Sequence, residues 1–291
     1  MHLKPLIPLF TSIIFTGRQV ALLVSLLLLC ACQTSTVQEN CSTNGFESVT
    51  SQLRQTDLER LRNPPLSNAD REKLVTRYFN SICPEVKKQP IGRNRANNVI
   101  CHLEGKSDFM FIVGAHYDRM GTGPGVADNW SGIVLISRLV EALQLMETNH
   151  TWEIIAFGEE ETGTYGSKAY MRDHKGKPII SMINVDTLGL GPLKFDSRSS
   201  QGLKCIAEKI ATDIEVQLSP SHLQETTGDW EPFDRRGIDF LSLHSLDRRL
   251  IRKLHTRRDS WKAISENRMQ EAWRLLVSLS SLLDRQSEPR F

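Results

Sequence analysis

The chain has 291 residues, 40% hydrophobic and 24% charged, with a formal net charge of +2. That is enough apolar material for one large α/β domain and excludes an intrinsically disordered chain. The arginines come in pairs (Arg235-Arg236, Arg248-Arg249, Arg257-Arg258) rather than in a basic stripe with interleaved aromatics, which speaks against nucleic-acid binding.

At the N-terminus, Lys4 and Arg18 precede an apolar run from Val20 to Leu29. The run has the length of a signal-peptide core and is too short for an ordinary membrane span. Leu29-Cys30-Ala31-Cys32 is similar to the bacterial lipobox, apart from Cys30 at its second position, and implies cleavage after Ala31 with a lipid on Cys32. An ordinary secretory signal, or an uncleaved anchor reaching back to Pro5, are the other readings, and all three export the domain. The expected organisation is a lipoprotein signal over 1–31, a polar tether over 32–46 and one domain over 47–291, held as a monomer on the periplasmic side of a membrane.

Export leaves Cys41, Cys83, Cys101 and Cys205 in an oxidising compartment, with three complete pairings open. Cys41 and Cys83 fall in irregular segments, which favours a bridge between them. Cys101 in a strand and Cys205 on a helix read as plain buried thiols.

Amphipathic spacing predicts short helices over Ser48–Leu61 and Asn68–Phe79, separated by Pro64-Pro65. From Asn97 strands and helices alternate: strands over Asn98–Leu103 and Phe109–Ala115, a helix over Ser131–Met146, then strands over Trp152–Phe157 and Ile179–Val185. A helix over about Gln201–Val216, a strand over Asp239–His244 and a long helix over Ala263–Leu283 complete the chain. Such alternation predicts a mostly parallel sheet covered by helices on both faces. In such sheets a ligand lies beyond the carboxyl ends of the strands.

Polar groups gather at those ends. His116 and Asp118 follow one strand, Glu159-Glu160-Glu161 another, and Asp186 ends Ile183-Asn184-Val185-Asp186. Hard divalent ions need nitrogen and oxygen ligands on rigid supports, and a two-metal site needs one carboxylate shared between the ions. His116, Asp128, Glu161, Asp186 and His255 supply the ligands. Asp118 is placed to orient the His116 ring, and Glu160, beside Glu161, to act as general base.

Residues 98 to 267 resemble the di-zinc exopeptidases of the bacterial leucyl aminopeptidase type, metallopeptidase family 28. The resemblance rests on five motifs in family order: His116-Tyr-Asp118, Ala127-Asp128-Asn129-Trp-Ser131-Gly132, Glu160-Glu161-Thr-Gly-Thr-Tyr-Gly-Ser, Asn184-Val185-Asp186, and His255-Thr256-Arg-Arg-Asp259. It implies a three-layer α/β/α sandwich on a mixed, mostly parallel sheet. It also implies two zinc ions bridged by Asp128, with His116 and Asp186 on one and Glu161 and His255 on the other. Glu160 would be the general acid and base, and peptides the substrates. Family members often carry His where this chain has Trp230, a departure that bears on specificity.

Within the fold the rival is a one-zinc glutaminyl cyclase; outside it, an inactive peptide-binding lipoprotein. The presence of every ligand and the base favours the hydrolase; the resemblance implies an aminopeptidase, and the sequence leaves a carboxypeptidase open. The remaining histidines, His102, His150, His174, His222 and His244, read as ordinary packing or loop residues. Tyr117, Trp130 and Trp230 read as pocket walls, and Arg235, Arg236 and Arg258 as solvated surface.

Overall fold

In the computed structural model the described residues are 43, 51–93, 95–223, 226–286 and 291. The predicted leader, Cys32, Cys41 and all but one residue of the predicted tether lie outside them. The strands are β1 (Glu85–Pro90), β2 (Asn97–Leu103), β3 (Ser107–His116), β4 (His150–Phe157), β5 (Ile179–Val185), β6 (Leu193–Asp196), β7 (Leu218–Ser221) and β8 (Asp239–His244). They form one sheet in the order β1-β2-β4-β3-β5-β8-β6-β7. The centre, β4-β3-β5-β8, is parallel; β1, β2 and β6 join through antiparallel pairings, and β7 pairs parallel with β6.

Period-two alternation sorts the strand side chains onto two buried faces. Phe111, Val113 and Ala115 of β3, Ile154 and Ala156 of β4, and Ile183 and Val185 of β5 enter the larger core. Helices α2 (Asn68–Ile82), α3 (Ser131–Met146), α5 (Gln201–Asp213) and α7 (Glu266–Arg285) cover it with Phe79, Leu139, Ile206 and Trp273. Met110, Ile112, Ile155, Phe157 and Met182 enter the smaller core, closed by Tyr170 of α4 (Tyr165–Asp173) and Phe233 of α6 (Glu231–Asp234). With both faces covered, the central strands are buried and mostly apolar: all eight residues of β4 are buried, the polar His150, Thr151 and Glu153 among them.

The chain runs outward from β3 to β4 in one direction and from β5 to β8 in the other. The carboxyl ends of β3 and β5 therefore frame the crevice where open α/β sheets place their ligands.

The structure departs from the sequence expectations in several places. Strands β1, β6 and β7 and helix α4 were not predicted: β1 shows no buried residue and β7 is four residues long with Pro220 inside it. The first helix, α1, spans only Gln55–Arg60, because Asp57 accepts from the extended Arg54 backbone and fixes the start there. Helix α7 begins at Glu266 rather than Ala263, where the Ser265 hydroxyl accepts from the Arg268 N–H.

The expected bridge between Cys41 and Cys83 is corrected: Cys83 pairs with Cys101. The β1–β2 hairpin sets Glu85 opposite His102, which carries Cys83, two residues before β1, beside the end of β2 where Cys101 lies. Cys101 is thus no free thiol, and neither is Cys205, which is also disulfide-bonded.

Candidate metal centre

His116 is the last residue of β3, with its side chain 2% exposed. Its Nε2 lies 3.2 Å from Asp128 Oδ1 and 3.6 Å from Asp186 Oδ1. The far nitrogen, Nδ1, is 3.1 Å from the Asp118 carbonyl oxygen and 3.5 Å from its carboxylate, so the backbone of Asp118 sets the ring more directly than its side chain does. The carboxylate instead accepts from the Glu160 N–H (3.1 Å) with one oxygen and the Glu161 N–H (3.2 Å) with the other. It orients the two glutamates that follow β4.

His255 stands on the opposite side of the crevice, on the loop after β8, at φ 57° and 41% exposed. Its Nε2 lies 2.8 Å from Glu161 Oε2 and 3.3 Å from Asp128 Oδ2. The left-handed turn packs on a loop that only glycine permits: a Cβ on Gly121 would sit 2.3 Å from the His255 carbonyl oxygen.

Asp128 thus divides its two oxygens, one toward His116 and Asp186, the other toward His255 and Glu161. The motif around it explains how it is held. Asn129 Nδ2 donates to the Val185 carbonyl (2.8 Å) while its Oδ1 accepts from Gly132 and Thr187. Ser131 Oγ donates to Ala127 and accepts from Leu188. These bonds fasten the Asp128 turn to the end of β5, the strand that delivers Asp186. Gly132 has no room for a side chain, since a Cβ would meet Asn129 Oδ1 at 2.4 Å. Asp259, fully buried, accepts from the Ala127 N–H (2.7 Å) and the Asp128 N–H (3.2 Å). It performs for Asp128 what Asp118 performs for Glu160 and Glu161.

The three consecutive glutamates have separate fates. Glu159 pairs with Arg95 and accepts from the Ala96 N–H, away from the centre. Glu160 comes within 4.0 Å of His116 Nε2, and Glu161 meets His255. Burial pushes the Glu160 carboxyl well above the usual carboxylate range, with the charges of Asp229, Asp186 and Asp128 adding to it. The His116 ring would be driven down by burial, but hydrogen bonds to Asp118, Asp128 and Asp186 raise it well above its ordinary value. Asp128 and Glu161 raise His255 to about 10. Burial works against ionised Asp128, yet hydrogen bonds from both histidines hold it well below the ordinary range.

These side chains open on a cavity of about 290 Å³, whose further walls are Thr226, Trp230, His244, Leu246, Ile251 and Leu254. The structure brings together all seven residues singled out in the sequence, and adds three that were not. Asp229, 1% exposed, has no hydrogen-bond partner on either oxygen among the described residues, and burial pushes it up to about 7. His244 at the end of β8, taken as packing, lines the cavity, and burial lowers it to about 4. Arg71 of α2 is fully buried without a carboxylate, donating to the carbonyls of Pro65, Tyr117, Pro124 and Gly125, and so shapes the loop between β3 and Asp128. Asp259 lay within a recognised motif, but its role was not foreseen. For Arg71 the sequence carries no signal, because its partners are main-chain atoms.

A family model described as Peptidase family M28 matches residues 98–280. The chain belongs to this family. It is 27% identical over 225 residues to an aminopeptidase, YwaD, of Bacillus subtilis, covering 71% of this chain and 47% of the relative. The chain therefore spans about half the length of that curated relative. Among solved structures, a zinc aminopeptidase from Bacillus subtilis superposes with a TM-score of 0.58 at 26% identity, over 64% of this chain and 49% of that one. A glutaminyl cyclase from Porphyromonas gingivalis gives a TM-score of 0.65 at 18% identity, over 78% of this chain and 94% of that one. At that identity the likeness to the cyclase is one of fold.

Proposed function

We propose that this M28 chain is a zinc-dependent aminopeptidase working with two ions, one on each side of Asp128. The observation that carries the reading is the division of the Asp128 oxygens, 3.2 Å from His116 and 3.3 Å from His255. The donors fit the metal: two imidazoles and three carboxylates are a zinc ligand set, and Glu161 keeps a buried oxygen, Oε1, without a hydrogen-bond partner. His116 and Asp186 would hold one ion and Glu161 and His255 the other, with Asp128 shared. Zinc bound there supplies Lewis acidity toward the scissile carbonyl and lowers the pKa of water.

The chain's own residues do the rest. Glu160, set beside the ligand Glu161 and within 4.0 Å of His116 Nε2, takes a proton from the attacking water and returns it to the leaving nitrogen. Asp118 keeps Glu160 and Glu161 in register by accepting both of their N–H groups. The name of the 27% identical relative supports removal of N-terminal residues.

Glu160→Gln is expected to bind zinc at the wild-type level and to lose hydrolysis of aminoacyl amides. Retained hydrolysis would remove Glu160 from its role, and activity on N-blocked peptides would overturn the aminopeptidase reading. Cyclisation of N-terminal glutamine with a single zinc per chain would favour the cyclase instead. The lipobox-like Leu29-Cys30-Ala31-Cys32 supports attachment of the exported enzyme to a membrane through Cys32; labelling with a radioactive fatty acid, lost on Cys32→Ser, tests this.

A further inference from the structure

The segment from Asp247 to Lys262, which carries His255, holds seven basic residues against two acidic ones. The two acids offset it only in part: Asp247 accepts from the backbone N–H groups of Arg249 and Leu250, and Asp259 is buried beneath Asp128. Arg248, Arg249, Arg252, Arg257 and Arg258 are all exposed, and none forms an ion pair among the described residues. Other arginines near the cavity behave differently. Arg198 is paired with Asp196 at 2.6 Å and Arg235 with Glu231 at 2.8 Å.

The same segment supplies Ile251, Leu254 and His255 to the wall of the cavity lined by Asp128, Glu160, Glu161 and Asp186, and Arg252 and Arg257 lie within two residues of those wall residues. The mouth is positive. The complement is a peptide that carries carboxylates a few residues behind its N-terminus. We propose that this rim recognises peptides that are acidic just beyond the scissile bond, an inference that builds on the aminopeptidase reading. Exposed charges act through a screened field, so the preference must fade with salt.

The test measures binding to zinc-loaded Glu160→Gln full-length protein by fluorescence anisotropy. The probes are two C-terminally labelled peptides beginning Leu-Gly, followed either by three Glu or by three Gln. The acidic peptide is expected to bind about tenfold more tightly at low salt, as two or three exposed charge pairs allow. The ratio should fall toward about twofold at high salt. Arg252→Glu/Arg257→Glu should invert the preference, and Arg252→Gln/Arg257→Gln should abolish it if the reversal compromises folding. A ratio near one in the starting protein, or one unmoved by both double variants, overturns the proposal. So does loss of adsorption to phosphatidylglycerol vesicles in the double variants with the peptide ratio intact, which would assign the rim to a membrane. Preferential binding of the acidic peptide, with neither peptide cleaved by the wild-type protein, would sink the hydrolytic reading and leave the rim standing.

Discussion

The two oxygens of Asp128 face different kinds of structure. On one side His116 and Asp186 come from the ends of adjacent central strands, and His116 is 2% exposed. On the other, His255 comes from a loop at φ 57° and is 41% exposed, although it makes the shorter contact, 2.8 Å to Glu161. The sheet pre-forms the first half, while the second depends on a loop ordered by packing on Gly121 and by Asp259. Sites on strands hold their geometry more firmly than sites on loops. The first half should therefore keep its ion under conditions that strip the second.

The largest effects test this asymmetry directly. His116→Ala is expected to abolish activity and to leave buried Asp128 and half-buried Asp186 facing each other without the ring between them. His255→Ala should retain one zinc per chain by elemental analysis after dialysis against chelator, and excess zinc should restore part of its activity. Equal metal loss in the two variants would break the comparison.

Next come the paired carboxylates that hold ligand backbones, Asp118 under Glu160 and Glu161 and Asp259 under Ala127 and Asp128. Asparagine in either place can accept one of the two N–H groups but presents an amide to the other. Each substitution should cost about 10–100-fold in metal affinity or activity. Asp118→Asn should lower kcat with zinc content little changed on the His116 side, whereas Asp259→Asn should weaken both ions, because Asp128 touches both. Zinc titrations of the two variants, set beside steady-state kinetics, distinguish these outcomes.

The halves also differed in how far they could be read from the sequence. His116, Glu160, Glu161 and Asp186 stand at the ends of strands of the parallel centre, and a strand buried on both faces is a mostly apolar run that shows where it stops. His255 follows no strand directly; only its place in an ordered set of motifs marked it. The edges of the sheet were illegible for a related reason. Strand β1 has no buried residue and β7 has four residues, so neither carries the apolar signature that burial imposes. Missing β1 also misassigned the cysteines, because only the β1–β2 hairpin brings Cys83 over Cys101.

That bridge lies far along the chain from the ligand loops and gives a smaller effect. It closes a sequence separation of 18 residues, and chain entropy assigns such a link about 3 kcal/mol. Cys83→Ser/Cys101→Ser should lower the midpoint of denaturant unfolding while zinc stoichiometry and kcat stay near wild type. A fall in zinc binding at equal folded fraction would show that the outer hairpin supports the centre, contrary to the view that β3 and β5 suffice.

His244 stands between the two halves, at the end of β8, whose Leu243 pairs with Val185 just before Asp186. Burial lowers its pKa from 6.5 to about 4, and its Nδ1 accepts from the Leu246 N–H at 3.0 Å, where the ligand-bearing loop departs. Between those two values the unfolded chain takes up a proton that the folded chain refuses. Stability is thus complete above pH 6.5, declines as the pH falls, and stops declining from this cause below about 4. The full difference is on the order of 3 kcal/mol. His244→Asn keeps an acceptor for Leu246 but cannot titrate, so its unfolding free energy should fall less steeply than that of the wild type across this window. Parallel slopes for the two proteins would mean that His244 is protonated in the folded state. The end of β8 would then be as open as the loop that follows it, and the boundary between the rigid and the loop-borne half would lie at β5 rather than at β8.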